Sequence, residues 1–242
     1  MALHRFYHPQ LGPGPETIII DGEEARHAAR VKRLRIGETV EVISGEGRRA
    51  QATVTGLHKH GQGWTVELAG KPAVEDPPLA PRVEVCSPVP KGDRLEQMID
   101  QLSQVGAAAW RPLVTDRSGP PPREAKLQRL RRVSVEAAKQ CGRSRLLEIG
   151  SPVPVPEAVQ ARQGWAVRML DADDQAPGPA PDSTPYNVLI LVGPEGGWTA
   201  PERHAAEQAG ASIVRLGLLT MRIELAAVVG AAAVMLGRAS DR

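Results

Sequence analysis

The sequence predicts an α/β protein, a mainly parallel sheet flanked by helices, preceded by a smaller antiparallel β-barrel or sandwich. Three observations predict it. Up to Gly70, short runs of alternating apolar and polar residues are separated by Gly-rich turns, as in small antiparallel sheets. Beyond a Pro-rich break, apolar runs alternate with segments of helical periodicity, as in parallel strands joined by crossover helices. Aromatic residues make up only 3% of the 242 residues, so the cores must be built from Val, Leu, Ile and Ala.

The elements follow in order. TIIIDG (17–22), ETVEVISGEGRRAQATVTGL (38–57) and GWTVELAG (63–70) alternate as strands do. Between the first two, DGEEARHAARV opens on Asp21 followed by two acids, which predicts a helix over 22–31. GKPAVEDPPLAP (70–81) interrupts all periodicity and sets the boundary. The expected division is a first domain over 1–72, a linker over 73–81 and a second domain over 82–242. In the second domain RVEVCSPV (82–89) reads as a strand and GDRLEQMIDQLSQVG (92–106) as an amphipathic helix ending on glycine. AAWRPLVT (108–115) is a second strand, SGPPP a break, and REAKLQRLRRVSVEAAKQCG (123–142) a basic helix. GWAVRML (164–170) is a third strand, 171–186 a polar loop, and NVLILV (187–192) a fourth strand. A helix ending at Gly210, the short strand SIVRL and a final apolar helix complete the chain.

Composition excludes several classes of function. Cys86 and Cys141 without a secretory leader predict a reducing cytoplasm and no disulfide. The histidines are scattered, and His58 and His60 lack a third ligand, so no metal site is expected. The longest apolar stretch, 225–237 between Glu224 and Arg238, is too short to cross a bilayer and reads as a buried helix. Charge is uneven: residues 1–150 carry 23 Lys/Arg against 18 Asp/Glu, and 151–242 carry 7 against 10. The excess peaks from Arg123 to Arg145, with eight cations against two glutamates. A surface facing a polyanion is one reading, and a solvated helix face is the other.

Ligands of parallel sheets sit beyond the carboxyl ends of the strands. SPVPKGD (87–93), GPEGG (193–197) and GLLTMR (217–222) occupy that edge. A strand, a Gly loop and a helix bring backbone N–H groups to a nucleotide-like ligand. GPEGG is neither a GxGxxG nor a Walker loop, and Glu195 would repel a phosphate. A carboxylate there suits hydroxyls, amines or a sulfonium; a turn needing glycine only for its own geometry is the alternative. In RLGLLTMRIELAAVVGAAAV (215–234), Arg222 and Glu224 are the only charges between Arg215 and Arg238. Ionised groups at the mouth of an apolar helix need a partner or a task, so they form a structural ion pair or a catalytic one. The small residues after them permit close packing, within the fold or against a partner subunit.

LVGPEGGWTAPE followed by LGLLTMRIELAA resembles the C-terminal signature of the RsmE family. These are bacterial small-subunit (16S) ribosomal RNA (uracil-N3)-methyltransferases of the SPOUT superfamily. HRFYHP (4–9), HAARVKRLRIGETVEV (27–42), KGDRLEQMIDQLSQVG (91–106) and EAAKQCGRSRLLEI (136–149) follow in the family's order, so the likeness covers nearly the whole chain. It implies an N-terminal PUA-like β-barrel that helps bind RNA and a SPOUT-type domain ending in a trefoil knot. It also implies S-adenosyl-L-methionine as cofactor, held by Val192, Gly193, Glu195, Gly196, Gly197, Leu216, Gly217, Leu218 and Met221. The partners implied are ribosomal RNA in the small subunit and a second copy of the chain, with no membrane.

Uracil N3 is a poor nucleophile while it keeps its proton, so a catalyst must stabilise the anion and aim N3 at the methyl donor. Arg222 suits the first task by donating to a uracil carbonyl, with Glu224 orienting it or acting as base. Arg5, Arg30, Lys32, Arg33, Lys91, Gln140, Arg143 and Arg145 are the expected RNA contacts. The family's Pro-Arg is Leu218-Leu219 here, its two core threonines are Ile223 and Leu225, and a usual Lys and Glu are Gln101 and Gln104. Lys139-Gln140 stands where the family often has Glu-Gln. Two other readings therefore remain, a SPOUT methyltransferase with a shifted RNA target and a non-catalytic RNA-binding relative.

Overall fold

A computed structural model describes residues 3–61, 63–172 and 186–237. The polar loop expected over 171–186 lies mostly outside the described residues, as does Arg238. By its contacts the chain divides into two units, Met1–Pro78 with Ala138–Leu146, and Leu79–Ala137 with Leu147–Arg242. The first break falls inside the Pro-rich stretch. The assignment of 138–146 has no local signal, because a continuous helix runs through that junction.

The first unit holds β1 (Arg5–Tyr7), β2 (Thr17–Ile20), α1 (Gly22–Arg30), β3 (Thr39–Ile43), β4 (Arg48–His60), β5 (Gly63–Gly70) and β6 (Val74–Glu75). Its sheet runs β1-β3-β4-β5-β2, with β6 paired to β4. All pairs are antiparallel except β1 with β3. The sheet curls into a half-barrel, in keeping with the expected PUA-like barrel, and no pairing joins β1 to β2 among the described residues. Alternation works as the sequence suggested: Val40, Val42, Ala50, Ala52, Val54, Val66 and Leu68 turn inward around Phe6 and Ile18. Ala25 and Ala28 of α1 close that core, small enough to bring the helix onto the sheet. β1 escaped sequence reading because three residues are too few to show a period.

The second unit holds β7 (Arg82–Ser87), α2 (Arg94–Gln104), β8 (Ala109–Val114), most of α3 (Glu124–Cys141), β9 (Glu148–Ile149), β10 (Val153–Pro154) and α4 (Val155–Gln160). β11 (Ala166–Leu170), β12 (Asn187–Val192), α5 (Ala200–Gln208), β13 (Ser212–Val214) and α6 (Ile223–Leu236) complete it. Its sheet is parallel throughout, in the order β10-β8-β7-β12-β11-β13, with β9 beside β8. α2, α3 and α6 contribute to a core on one face, built on Val83, Val85, Val188, Ile190 and Val192 with Trp110. α4 and α5 contribute to the other, built on Cys86, Val167, Met169, Leu189 and Leu191. Burial on both faces explains why β12 reads as an unbroken apolar run. β9, β10 and α4 had no sequence expectation; each is short and lies in a stretch punctuated by proline.

The final helix corrects one expectation, that 225–237 is simply buried. Ala227, Gly230, Ala231 and Val234 are buried, whereas Leu225 is 51% and Leu236 66% exposed. Gly230 explains the close approach on the inner side: a Cβ there would come within 3.1 Å of Leu170 on the sheet.

Candidate functional site

β12 ends on buried Val192, and the chain turns through GPEGG with Gly197 donating to the Pro194 carbonyl at 2.9 Å. Gly197 sits at φ +72, a conformation that favours glycine. Gly193 is needed for a different reason. A Cβ there would lie 2.9 Å from the Trp198 ring, whose Nε1 donates to the Leu170 carbonyl at 2.8 Å. α5 then begins on a capping box of Thr199 and Glu202. Buried Glu202 also accepts from the Asp116 N–H at 2.9 Å, and Arg117 donates to the Gly196 carbonyl at 2.7 Å. The loop after β8 thus braces the Gly-rich turn from outside.

The second loop joins β13 to α6. Gly217 sits at φ +74, and Arg215 donates to the Leu218 carbonyl at 2.8 Å. Arg222 occupies the N-cap in an extended conformation and makes no side-chain cap bond. The first helical bond runs from Ala226 N–H to the Arg222 carbonyl at 2.8 Å. The N–H groups of Ile223, Glu224 and Leu225 therefore lack helical acceptors and give the helix start a partial positive charge.

A cavity of about 390 Å³ opens at these two loops, within the range of small-molecule sites. Val192, Gly193, Glu195, Gly197, Leu216, Met221 and Arg222 line it. Gly196, Gly217, Leu218 and Glu224 do not, and Leu218 is 87% exposed. Trp198, Asp171, Arg215 and Ile223 also line the cavity. Asp171 was legible only as the first residue of the polar loop after a strand, and Trp198 only as the residue following the glycines.

The charges form a pattern. Asp171 is held by Arg203 at 3.2 Å, Glu195 by Lys91 at 4.0 Å and Glu224 by Arg94 at 3.4 Å. Arg94 Nε also donates to the Lys91 carbonyl at 3.2 Å, so one turn after β7 reaches acids on both pocket loops. Sequence reasoning placed that turn at the right edge and named Lys91, but missed Arg94. Arg222 is exposed and has no hydrogen-bond or ion-pair partner among the described residues. The alternative reading of Arg222 and Glu224 as a structural ion pair is not what the structure holds, since Glu224 meets Arg94 of α2.

The expected RNA contacts divide in the first unit. Arg30, Lys32 and Arg33 are exposed and have no ion-pair partner among the described residues, and neither has Arg35 beside them. Arg5, in contrast, reaches Glu41 at 2.5 Å and the Lys139 carbonyl at 3.0 Å. Arg145 donates to the Asp76 carbonyl at 3.0 Å and meets Glu75 at 3.4 Å. Arg143 is half-buried, and burial pushes its guanidinium pKa down; Gln140 is exposed. In the second unit two cations of the basic helix meet a neighbour, Lys126 and Arg129 holding Glu96 of α2, while Arg131 pairs with Glu124 of its own helix. Gln101 is exposed and Gln104 donates to Asp100 at 2.8 Å. No cluster that could hold a metal occurs, and no helix is long and apolar enough to cross a membrane, among the described residues.

Comparison with known proteins agrees with this layout. Residues 77–235 match the model of an RNA methyltransferase domain, and residues 20–61 that of an RNA methyltransferase PUA domain. The chain is 31% identical to the ribosomal RNA small subunit methyltransferase E of Mycobacterium bovis, over 97% of this chain and 92% of that one. Among solved structures, the Neisseria gonorrhoeae ribosomal RNA small subunit methyltransferase E bound to S-adenosyl methionine superposes with a TM-score of 0.85. That match has 25% identity and covers 97% of this chain and 98% of the other. A Legionella pneumophila methyltransferase in complex with the same cofactor shares the fold at TM-score 0.85, with 22% identity and 99% and 98% coverage.

Proposed function

The chain belongs to the ribosomal RNA small subunit methyltransferase E family, and from that membership we propose that it methylates N3 of a uridine in small-subunit (16S) ribosomal RNA. S-adenosyl-L-methionine is the methyl donor in this reading, and the residues present fit it. Apolar Val192, Leu216, Met221 and Ile223 offer a wall for an adenine ring. Asp171 and Glu195 suit the hydroxyl and cationic groups of the cofactor, as a phosphate site would not. The backbone of Gly193, Gly196, Gly197, Gly217 and Leu218 completes the proposed cradle. When bound, the cofactor supplies a methyl group on a cationic sulfur. The trefoil knot that the resemblance implies for the C-terminal segments belongs with this reading.

One observation carries the proposal: Arg222 is an unpaired cation on the wall of the cavity. Its guanidinium donates to a uracil carbonyl and stabilises the negative charge that develops as N3 gives up its proton to water at the open mouth. The uncapped N–H groups of α6 act in the same direction. Arg30, Lys32 and Arg33 of the first unit bind RNA phosphates, with Arg5, Lys91, Gln140, Arg143 and Arg145 as further contacts. Two copies of the chain form the working enzyme, covering the open side of α6. With the ribosome as its substrate, the enzyme works in the cytoplasm.

Arg222→Ala should lower methyl transfer to unmodified small ribosomal subunits by about a hundredfold or more. Calorimetric binding of S-adenosylmethionine should stay close to wild type. Full turnover by the variant would refute the assignment. Ile223 on the cavity wall, in place of the family's threonine, favours a second reading in which the uridine differs. Mass mapping of ribosomal RNA from cells lacking the protein separates the two.

A further inference from the structure

Three acids stand on or beside the cavity, and each is met by a cation from outside its lining: Asp171 by Arg203, Glu195 by Lys91, Glu224 by Arg94. Glu224 differs from the other two in its place at the start of the helix that follows Arg222. It lies in the first turn of α6, two residues from Arg222, on the helix whose Ile223 and Ala226 line the cavity. A carboxylate at that place opposes the build-up of negative charge on a bound base, which Arg222 and the helix start favour. Its side chain is only 18% exposed, so water screens it weakly.

We propose that Arg94 is a positioning residue for methyl transfer: it holds and neutralises Glu224, so that Arg222 acts on the base as an uncompensated cation. The inference rests on the methyltransferase reading above. It assigns Glu224 to charge balance and removes it as the general base. Arg94 suits the task because it opens α2 and is anchored by its own Nε to the Lys91 carbonyl at 3.2 Å. The same turn therefore fixes both the cation and its distance from α6.

The test compares Arg94→Ala, Arg94→Lys and the double variant Arg94→Ala/Glu224→Gln, using S-adenosylmethionine and unmodified small ribosomal subunits. Arg94→Ala should lower kcat by about tenfold to a hundredfold, because a carboxylate left without its partner opposes the developing anion. KM and calorimetric Kd for S-adenosylmethionine should stay within about twofold, since the cofactor wall is untouched. Arg94→Lys keeps the charge and should regain most of the loss. The double variant should return to within about threefold of wild type, because removing the carboxylate removes the need for its partner. A merely structural ion pair would lose and regain stability in the same way but would leave kcat of the folded enzyme unchanged. The proposal is overturned if Arg94→Ala keeps wild-type kcat, or if the double variant is no better than the single one, as a base role for Glu224 requires. Should the alanine variant not fold, Arg94→Gln carries the same comparison. The underlying reading fails separately, and visibly, if the wild-type protein transfers no methyl group.

Discussion

Two clusters of arginine and glutamate in the second unit use one chemistry to opposite ends. At the amino ends of β7 and β11, Glu84 is bound on both sides, by Arg82 at 2.9 Å and Arg162 at 2.5 Å. Both guanidiniums lie over the Trp165 ring, at 5.8 and 5.2 Å from its centroid. The Glu84 side chain is 2% exposed, and each group finds its complement within the cluster. At the carboxyl ends of the same sheet, each acid also has its cation, but one arginine is left over and faces a cavity. The difference is one of satisfaction: the buried charge at the foot finds its complement within the fold, and the exposed arginine at the rim does not.

Substitution at the foot of the sheet should therefore act on stability alone. Glu84→Ala leaves two arginines facing each other without their carboxylate. Removing one partner of a buried ion pair destabilises by about 3–5 kcal/mol. Urea unfolding should show that loss, and S-adenosylmethionine affinity of the folded fraction should not change. Arg222→Ala should do the reverse, with a stability change under about 0.5 kcal/mol at an exposed, unpaired position. If Glu84→Ala were neutral, the foot cluster would not be structural and the contrast would collapse.

Gly193 sharpens the comparison at the rim, where packing and binding share one residue. Gly193→Ala forces a Cβ to within 2.9 Å of the Trp198 ring, so Trp198 must leave the Leu170 carbonyl. Overpacking of this kind costs about 1–3 kcal/mol. Because Trp198 lines the cavity, cofactor affinity should fall with it. A variant that lost stability but bound cofactor normally would show that Trp198 serves only the turn.

How much of this was legible follows from how local each signal is. GPEGG and its strand could be read because turn, glycine and apolar run adjoin in sequence. The RsmE resemblance reached the two cavity loops by the same route. The partners of the acids could not be read, since Arg94 and Glu224 lie 130 residues apart. Nothing in REAKLQRLRR says that Lys126 and Arg129 will meet Glu96 on another helix. The polyanion reading of that segment therefore mixed solvated cations with structurally paired ones, which only tertiary contacts separate. The strand order of the first sheet was hidden too, because alternation fixes which face is buried and not which strands pair.

The first unit repeats the contrast between paired and unpaired cations. Replacing Arg30, Lys32 and Arg33 together by alanine should lower RNA affinity. The log–log salt slope should become shallower by about 0.7–0.9 for every phosphate that is no longer neutralised. Arg5→Ala should destabilise the unit as well as weaken RNA binding, since its guanidinium joins Glu41 to the Lys139 carbonyl. An unchanged salt slope in the triple variant would move the RNA surface elsewhere.

The smallest effect comes from Glu96, a paired charge that is neither buried like Glu84 nor free like Arg222. The hydrogen bond from Lys126 first, and the charges of Lys126 and Arg129 with it, outweigh partial burial and hold its carboxyl below the usual glutamate range. A depressed folded pKa contributes stability that is present above the unfolded value of about 4.3 and is lost as pH falls through the folded one. Glu96→Gln should therefore lower Tm at pH 7, and the gap to wild type should close progressively below about pH 4. Arg129 is 64% exposed, so the effect should stay under about 1 kcal/mol. A gap that persisted at pH 2.5 would mean that Glu96 works through packing. Ion pairing would then matter only where the chain is closed, as at Glu84, or left open, as at Arg222.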